Sequence, residues 1–165
     1  MDIQKVGVIG AGQMGNGIAH VLALAGYQVT ITDLNQTALD NARVVIDRNL
    51  ARQVKGAKIT AYQKVDAMAR ISTTLALPDL GAADLVIEAA TEKEALKHSI
   101  FEALVPHLQP HTILTSNTSS ISITRLASRT DRPEKFMGFH FMNPVPVMDL
   151  VELIRGIATV SYTHL

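Results

Sequence analysis

The chain has 165 residues with 15 basic and 15 acidic side chains, so its formal net charge is zero. This balance argues against nucleic acid or an anionic membrane as the main partner, because both attract basic surfaces. The lack of cysteine excludes disulfides and thiolate metal sites, and no metal site is predicted. No apolar run has the length of a membrane helix and no secretory signal is visible, so a cytoplasmic location is expected.

Short β-rich runs alternate with helical segments through the first half of the chain. The predicted elements are a strand at 5–10, a helix at 13–25, a strand at 28–33, a helix from Asn35 to about Val54 with Asn35 as its N-cap, and a second helix within 55–70. The two consecutive helices are long for a simple crossover between strands. They predict a helical excursion after the second strand.

The second half continues the alternation. It is predicted to hold strands at 71–74, 83–89, 111–116, 135–141 and 148–154, a helix at 93–108, and a loop with a short helix at 120–128. In the helix, four apolar residues recur every fourth position: Leu96, Ile100, Leu104 and Leu108. The pattern predicts an α/β domain with a mostly parallel sheet covered by helices.

A glycine-rich loop follows the first strand. It has the pattern G-x-G-x-x-G at Gly10, Gly12 and Gly15, it opens a helix, and Asp33 ends the next strand 18 residues later. Glycines permit the tight turn and the close approach of a pyrophosphate, and an acid at this position accepts hydrogen bonds from ribose hydroxyls. The alternative is a glycine-rich turn without a ligand. The complete context predicts a Rossmann-type dinucleotide site, and Asp33 favours NAD because its charge would repel the 2′-phosphate of NADP. The cofactor-binding residues predicted in this part of the chain are Gly10, Ala11, Gly12, Gln13, Met14, Gly15 and Asp33.

Two further polar segments follow predicted strands. Glu92 lies just beyond the strand at 83–89, with Lys97 on the next helix, and small polar residues including Ser119 follow the strand at 111–116. Ligands of open α/β sheets bind outside the carboxyl ends of strands, so these side chains could line a crevice. They could equally be a solvated helix start and turn or N-cap residues. The residues alone leave both interpretations open.

His140 lies between two phenylalanines, and Glu152 follows it by twelve residues across the turn N-P-V-P. If the two flanking segments are neighbouring strands, the carboxylate could hold one imidazole N–H and leave the other nitrogen as a proton acceptor. A packed core histidine is the alternative, and sequence alone does not decide between them.

Four segments together carry a resemblance to a known family. In their order and spacing, GAGQMGNGIA, IEAATE, SNTSS and GFHFMNPVPVMDLVELI resemble the NAD-binding domain of short-chain 3-hydroxyacyl-CoA dehydrogenases, with the bacterial 3-hydroxybutyryl-CoA enzymes as the nearest kind. The resemblance covers about residues 3–159. It implies an oxidoreductase of fatty acid and butanoate metabolism that interconverts 3-hydroxyacyl-CoA and 3-ketoacyl-CoA with NAD.

The resemblance assigns roles to individual residues. His140 matches the catalytic histidine and Glu152 its carboxylate partner. Ser119 matches a serine near the substrate 3-oxygen and the nicotinamide, and Asn143 matches the asparagine of the N-P turn in the same pocket. Additional cofactor contacts are implied for Glu92, Lys97, Ser119 and Asn143.

The match is looser in the helical excursion, which corresponds to the family's CoA-binding arm. Asn49 stands where some members have serine and Gly56 where they have lysine. Arg52, Lys55 or Lys58 could replace that contact with the CoA phosphates.

The resemblance also sets an expected domain organisation. Residues 1–159 would form the NAD-binding domain, and residues 160–165 a tail foreign to the family. Family members continue with a helical domain that closes over the substrate and forms a homodimer. We therefore expect this chain to bind NAD, to turn over poorly by itself, and to expose an apolar face.

Two other functions remain open from the sequence. A bare dinucleotide-binding module, used as a redox sensor or structural protein, would need no proton acceptor beside the nicotinamide. A related hydroxyisobutyrate-type dehydrogenase would not need the H-F-x-N-P turn, whereas a gulonate-type enzyme shares that turn.

Overall fold

The computed structural model describes residues 2–160, and in this range seven strands form one sheet. The strands are β1 (Lys5–Ile9), β2 (Gln28–Thr32), β3 (Ile71–Thr74), β4 (Leu85–Glu88), β5 (Ile113–Ser116), β6 (Phe136–Phe141) and β7 (Val151–Arg155). The helices are α1 (Gln13–Leu24), α2 (Gln36–Lys55), α3 (Ala61–Ala69), α4 (Glu94–Leu104) and α5 (Ile123–Ala127). Three short 3-10 segments occupy Leu77–Ala82, Val105–His107 and Pro133–Lys135.

The strand order is β3-β2-β1-β4-β5-β6-β7, with all pairs parallel except the antiparallel pair of β6 and β7. From β1 the chain builds outwards to β2 and β3, then returns to place β4 on the other side of β1. The point where the order reverses is where open α/β sheets bind ligands, at the carboxyl ends of the strands. The predicted mostly parallel, helix-covered sheet is confirmed.

Each face of the sheet carries its own apolar core. On one face, α1 packs on the sheet through residues such as Ile18 and Ala19, and α2 and α3 pack against α1. On the other face, α4 and α5 pack through Phe101, Leu104 and Leu126. Strands buried on both faces are continuous apolar runs, as residues 6–9 of β1 and 85–87 of β4 are.

The helical excursion after β2 is present as two capped helices. Asn35 caps α2 by accepting a hydrogen bond from Thr37 N at 2.8 Å, as predicted. Thr60 and Gln63 form a reciprocal capping box at the start of α3. These caps fix the residue at which each helix begins, and α2 packs against α1.

The predicted apolar stripe of the fourth helix needs a correction. The buried residues of α4 are Lys97, Phe101 and Leu104, whereas Leu96 is 51% exposed. The helix ends at Leu104 and a 3-10 turn follows, because Pro106 has no N–H to continue the helical pattern. Residues spaced by four do not stay on one face of a helix that has 3.6 residues per turn. The buried face of α4 also includes a lysine, Lys97.

Exposed large apolar side chains gather at the far edge of the sheet. In and around β7 they are Val147, Met148, Leu150, Leu153, Ile154 and Ile157. The expected exposed apolar face is therefore present in this region. Across residues 2–160, none of the helices combines the length and the hydropathy that crossing a membrane requires.

Candidate active site

The glycine loop joins β1 to α1 by close backbone contact. Gly10 has a φ of 101°, which favours glycine, and its N–H donates to Thr32 O at 2.8 Å. A Cβ on Gly15 would lie 1.8 Å from the carbonyl oxygen of Gly10, so only glycine fits there. A Cβ on Gly12 would meet nothing within 4 Å. The loop thus leaves open space in front of the α1 N-terminus, which fits the pyrophosphate of a dinucleotide.

Asp33 is held at the same loop by main-chain donors. Its Oδ2 accepts from Ala11 N at 2.9 Å and its Oδ1 from Asn35 N at 3.1 Å. A cleft of about 480 Å³ lies beside it. The cleft is lined largely by apolar side chains, including Leu34, Leu75, Leu77, Leu96 and Ile100. A fixed carboxylate next to an apolar slot suits the ribose and base of an adenosine.

A buried ion pair lies where β4 and β5 end. Glu88 is 0% exposed and Lys97 is 1% exposed, and the Lys97 ammonium contacts the Glu88 carboxylate. Glu88 also accepts hydrogen bonds from Ser116 Oγ at 2.7 Å and from Ala90 N at 2.9 Å. The pair is therefore fully hydrogen-bonded on its acidic side, as a buried charge requires.

Glu92 holds the loop that follows β5. Its Oε1 accepts from Thr118 Oγ1, from Ser120 Oγ at 2.9 Å, and from the N–H groups of Ser119 and Ser120 at 3.2 Å. Its Oε2 lies 3.9 Å from Lys97 Nζ. The sequence-predicted Glu92, Lys97 and Ser119 are thus brought together, with Ser119 exposed on the loop.

The surroundings of Glu92 favour its charged form. Partial burial acts to raise the pKa of Glu92, but hydrogen bonds from Thr118 and Ser120 and the charge of Lys97 outweigh it. The result is a pKa below its ordinary value of 4.5. Glu92 is therefore an anion at neutral pH and a strong acceptor for the loop.

His140 and Glu152 face each other across the antiparallel pair of β6 and β7. They are direct partners in the strand register, and His140 Nδ1 lies 2.9 Å from Glu152 Oε2. An ionised carboxylate can only accept, so Nδ1 donates to it, and in the neutral imidazole Nε2 is then the acceptor. The His140 side chain is 21% exposed, so it is not packed away in the core.

The turn after His140 packs against the glycine helix. A Cβ on Gly17 would lie 2.9 Å from Val145, so the absence of a side chain lets the turn approach α1. Asn143 Oδ1 accepts from Gln13 Nε2 at 3.0 Å. The contact places Asn143 beside the predicted cofactor loop. A cavity of about 410 Å³ opens between this turn, α1 and α2.

The predicted CoA-binding residues lie on α2 at and beside this cavity. Asn49 lines it, together with Asn41 and Val45 from the same helix face. Arg52 and Lys55 are exposed further along α2 and are not part of the lining. Neither makes an ion pair with another residue of the 2–160 range.

Two neighbours of the candidate site, Glu88 and Ser116, escaped the sequence interpretation. Glu88 holds Lys97, and Ser116 Oγ donates to the Glu88 carboxylate. Asn117, one of the small polar residues after β5, accepts from Phe141 N at its Oδ1 at 2.8 Å, which ties this loop to the strand of His140. The sequence did hold a sign of the buried Glu88–Lys97 ion pair: an acid ends an apolar strand, and a lysine lies among the apolar residues of the next helix. Among the residues described, no three His, Asp or Glu side chains are grouped as metal ligands.

Comparison with known proteins places this geometry in a family. Residues 5–164 match the profile of the 3-hydroxyacyl-CoA dehydrogenase NAD-binding domain. The chain belongs to this family. The resemblance seen in the sequence motifs is confirmed, and so is NAD as the cofactor of the domain. The tail predicted at 160–165 lies outside the described residues except for Val160, and that prediction stands untested.

Individual relatives agree with the family match. The 3-hydroxybutyryl-CoA dehydrogenase of Bradyrhizobium diazoefficiens is 59% identical over 157 residues, which are 95% of this chain and 54% of that protein. The 3-hydroxyadipyl-CoA dehydrogenase of Escherichia coli is 44% identical over 98% of this chain and 34% of its own length. The crystal structure of (S)-3-hydroxybutyryl-CoA dehydrogenase from Ralstonia eutropha superposes with a TM-score of 0.96 at 46% identity, over 99% of this chain and 58% of that one. The chain thus spans about half the length of the Bradyrhizobium and Ralstonia relatives.

Proposed function

We propose that this chain is the cofactor-binding and proton-transferring part of an NAD-dependent 3-hydroxyacyl-CoA dehydrogenase. The observation that carries the proposal is the His140–Glu152 pair, with Nδ1 and Oε2 2.9 Å apart on adjacent strands. A non-catalytic dinucleotide module has no use for an oriented proton acceptor. The pair therefore favours an enzyme over a sensor.

His140 acts as the base at its Nε2 atom. In oxidation it takes the proton of the substrate 3-hydroxyl, and Glu152 stabilises the imidazolium that forms. In reduction the same atom returns the proton to the 3-oxygen. Bound NAD supplies the hydride acceptor. Proton transfer of this kind contributes about 10²–10⁴-fold to the rate.

Ser119 and Asn143 flank this chemistry. Glu92 fixes the main chain of Ser119, which leaves the Ser119 hydroxyl to polarise the 3-oxygen. The bond from Gln13 occupies Asn143 Oδ1, so the Asn143 amide N–H₂ stays available as a donor. Both residues are proposed to contact the substrate or the nicotinamide.

The cofactor residues follow from the same arrangement. Gly10 to Gly15 would hold the pyrophosphate and Asp33 the adenosine ribose, while Glu92 and Lys97 would lie towards the nicotinamide end. The main-chain bonds to Asp33 keep the carboxylate at the loop, which supports NAD over NADP.

The acyl-CoA is proposed to bind across the 410 Å³ cavity, beside Asn49. Arg52 and Lys55 would meet the CoA phosphates, because they are exposed cations on the same helix. The names of the relatives support 3-hydroxybutyryl-CoA as the substrate. A homodimer formed by the part of the relatives beyond this chain, and a cytoplasmic location, belong to the same proposal.

The test is NADH consumption with acetoacetyl-CoA. It is followed in this chain and in a chimera that joins residues 1–159 to the remaining part of the Bradyrhizobium relative. We expect the chain alone to turn over poorly and the chimera to be active, because the relatives contribute about as much sequence again. In the chimera, His140→Ala should lower kcat by about 10²–10⁴-fold. Replacing the exposed His107 by Ala is the matched control and should leave kcat unchanged. A His140→Ala chimera with the kcat of the parent would refute the proton-transfer role.

A further inference from the structure

Glu88 is a buried acid to which the proposed chemistry gives no role. It is the last residue of β4, at the strand end where the sheet order reverses, and it has no exposed surface. Its carboxylate accepts from the Lys97 ammonium, the Ser116 hydroxyl and Ala90 N. A carboxylate in the core is costly, so this one needs a purpose beyond filling space.

Lys97 has donors to spare after this contact. An ammonium carries three N–H groups, and the Glu88 carboxylate takes one of them. Glu92 Oε2, at 3.9 Å, is an ion-pair neighbour but lies beyond hydrogen-bond distance. Lys97 is also among the residues that line a cavity of about 190 Å³, together with Glu92, Asn117 and Met14.

The cavity lies between the two parts of the proposed site. Met14 belongs to the start of α1 after the glycine loop, and Asn117 belongs to the loop tied to the strand of His140. A ligand that runs from the glycine loop towards His140 would pass this cavity and meet the Lys97 donors. Without Glu88, nothing on the buried side would hold the ammonium at the wall of the cavity.

We infer that Glu88 is a positioning residue for the cofactor site, which holds the Lys97 ammonium at the cavity between the glycine loop and the loop after β5. The inference rests on the proposed function, because it takes the cofactor to be the partner of Lys97. Ser116 completes the arrangement by hydrogen-bonding the same carboxylate oxygen as Lys97. A neutral amide in place of Glu88 would leave the buried ammonium with only the partly exposed Glu92 as a counter-charge.

The experiment is NADH binding to the 165-residue chain, measured by the fluorescence of NADH well below the melting temperature. Glu88→Gln and Lys97→Met should each weaken binding by about tenfold or more, the effect of losing a charged hydrogen bond. The double variant should bind no more weakly than Lys97→Met, because Glu88 acts only through that lysine. Glu102→Gln, on the exposed side of α4, is the matched control and should bind as the parent chain does.

A kinetic readout separates positioning from general stability. In the chimera, Glu88→Gln should raise KM for NADH and leave kcat at saturating NADH within about twofold, because His140 is untouched. If Glu88→Gln does not fold, Glu88→Asp decides, since it keeps the charge but withdraws it from Lys97 by one methylene. Glu88→Asp should weaken NADH binding when Lys97 is present. When Lys97 is already replaced by Met, the same change should cause a smaller loss.

The inference is wrong if Glu88→Gln, or Glu88→Asp in its place, binds NADH within twofold of the parent. It is also wrong if the losses of the two single variants multiply in the double variant. If Lys97→Met has no effect on NADH binding, the cofactor role of Lys97 fails and the inference with it. That failure leaves the His140 chemistry standing, because His140→Ala is judged by kcat and not by NADH affinity.

Discussion

The glycine loop with α1 and the β6–β7 pair lie on either side of the proposed site but are built differently. The loop depends on backbone contact: Gly15 fits under the carbonyl of Gly10, and α1 is buried along one face from Gly15 to Ala23. The strand pair depends on side chains: His140 faces Glu152 across the register, and β7 carries no fully buried residue.

The difference separates binding from chemistry. In the first region the same residues pack in the core and form the proposed cofactor surface, so a change there should affect folding and NAD binding together. In the second region the proposed catalytic pair lies on the edge strand and its neighbour, with His140 21% and Glu152 50% exposed, so a change there should affect kcat with little effect on stability. Variants in each region can break or sharpen this contrast.

The largest effect is expected at Gly15. Gly15→Ala would force a Cβ to within 1.8 Å of a backbone oxygen, which should lower the free energy of unfolding by about 3 kcal/mol or more and abolish NADH binding. Gly12→Ala is the matched control, because its Cβ meets nothing within 4 Å. It should change stability by less than about 1 kcal/mol but still weaken NADH binding, since the methyl takes space meant for the pyrophosphate. Thermal unfolding and NADH titration measure both quantities. A Gly15→Ala chain as stable as Gly12→Ala would contradict the backbone account.

A smaller effect concerns pH and the packing of α1. His20 is 1% exposed, its Nε2 donates to Gln53 Oε1 at 3.1 Å, and its buried Nδ1 has no hydrogen-bond partner within residues 2–160. Burial lowers the pKa of His20 below 6.5, against the opposing effect of the Gln53 hydrogen bond. The unfolded chain therefore binds a proton more readily than the folded chain. Neutral His20 therefore contributes fully to the free energy of unfolding above pH 6.5. This contribution is lost as the pH falls below 6.5, by at most about 1.4 kcal/mol per pH unit.

The measurement for this prediction is the free energy of unfolding in urea between pH 7.5 and about 5. Replacing His20 by Gln should flatten the slope, because the new side chain cannot take up a proton. The same replacement at the exposed His107 should leave the slope as it was. Equal slopes in all three chains would show that His20 carries no charge penalty.

The sequence predicted the features that depend on neighbouring residues, such as motifs and periodic elements. It missed the side-chain contacts between residues that are far apart in the chain. The glycine loop, Asp33 and a mostly parallel sheet follow from local patterns, and the Asn35 cap was correctly placed. The predicted stripe of the fourth helix was wrong at Leu96, which is 51% exposed, and it missed Lys97, because spacing cannot tell a buried lysine from an exposed one until its partner is known. Glu88 and Ser116 are 28 residues apart in the chain, and only the sheet register pairs them, so that Ser116 hydrogen-bonds the carboxylate that holds Lys97. The pairing of His140 with Glu152 was foreseen only as a possibility until the antiparallel register was known.

The most direct test of the central claim is a double-mutant cycle on His140 and Glu152 in the chimera. Glu152→Gln alone should lower kcat by about tenfold or more, as expected for groups in contact that are coupled by 0.5–3 kcal/mol. In the His140→Ala background the same change should cost nothing further, because the carboxylate would have no imidazole to orient. Losses that multiply would contradict the account, since they would show that Glu152 acts on the reaction without His140.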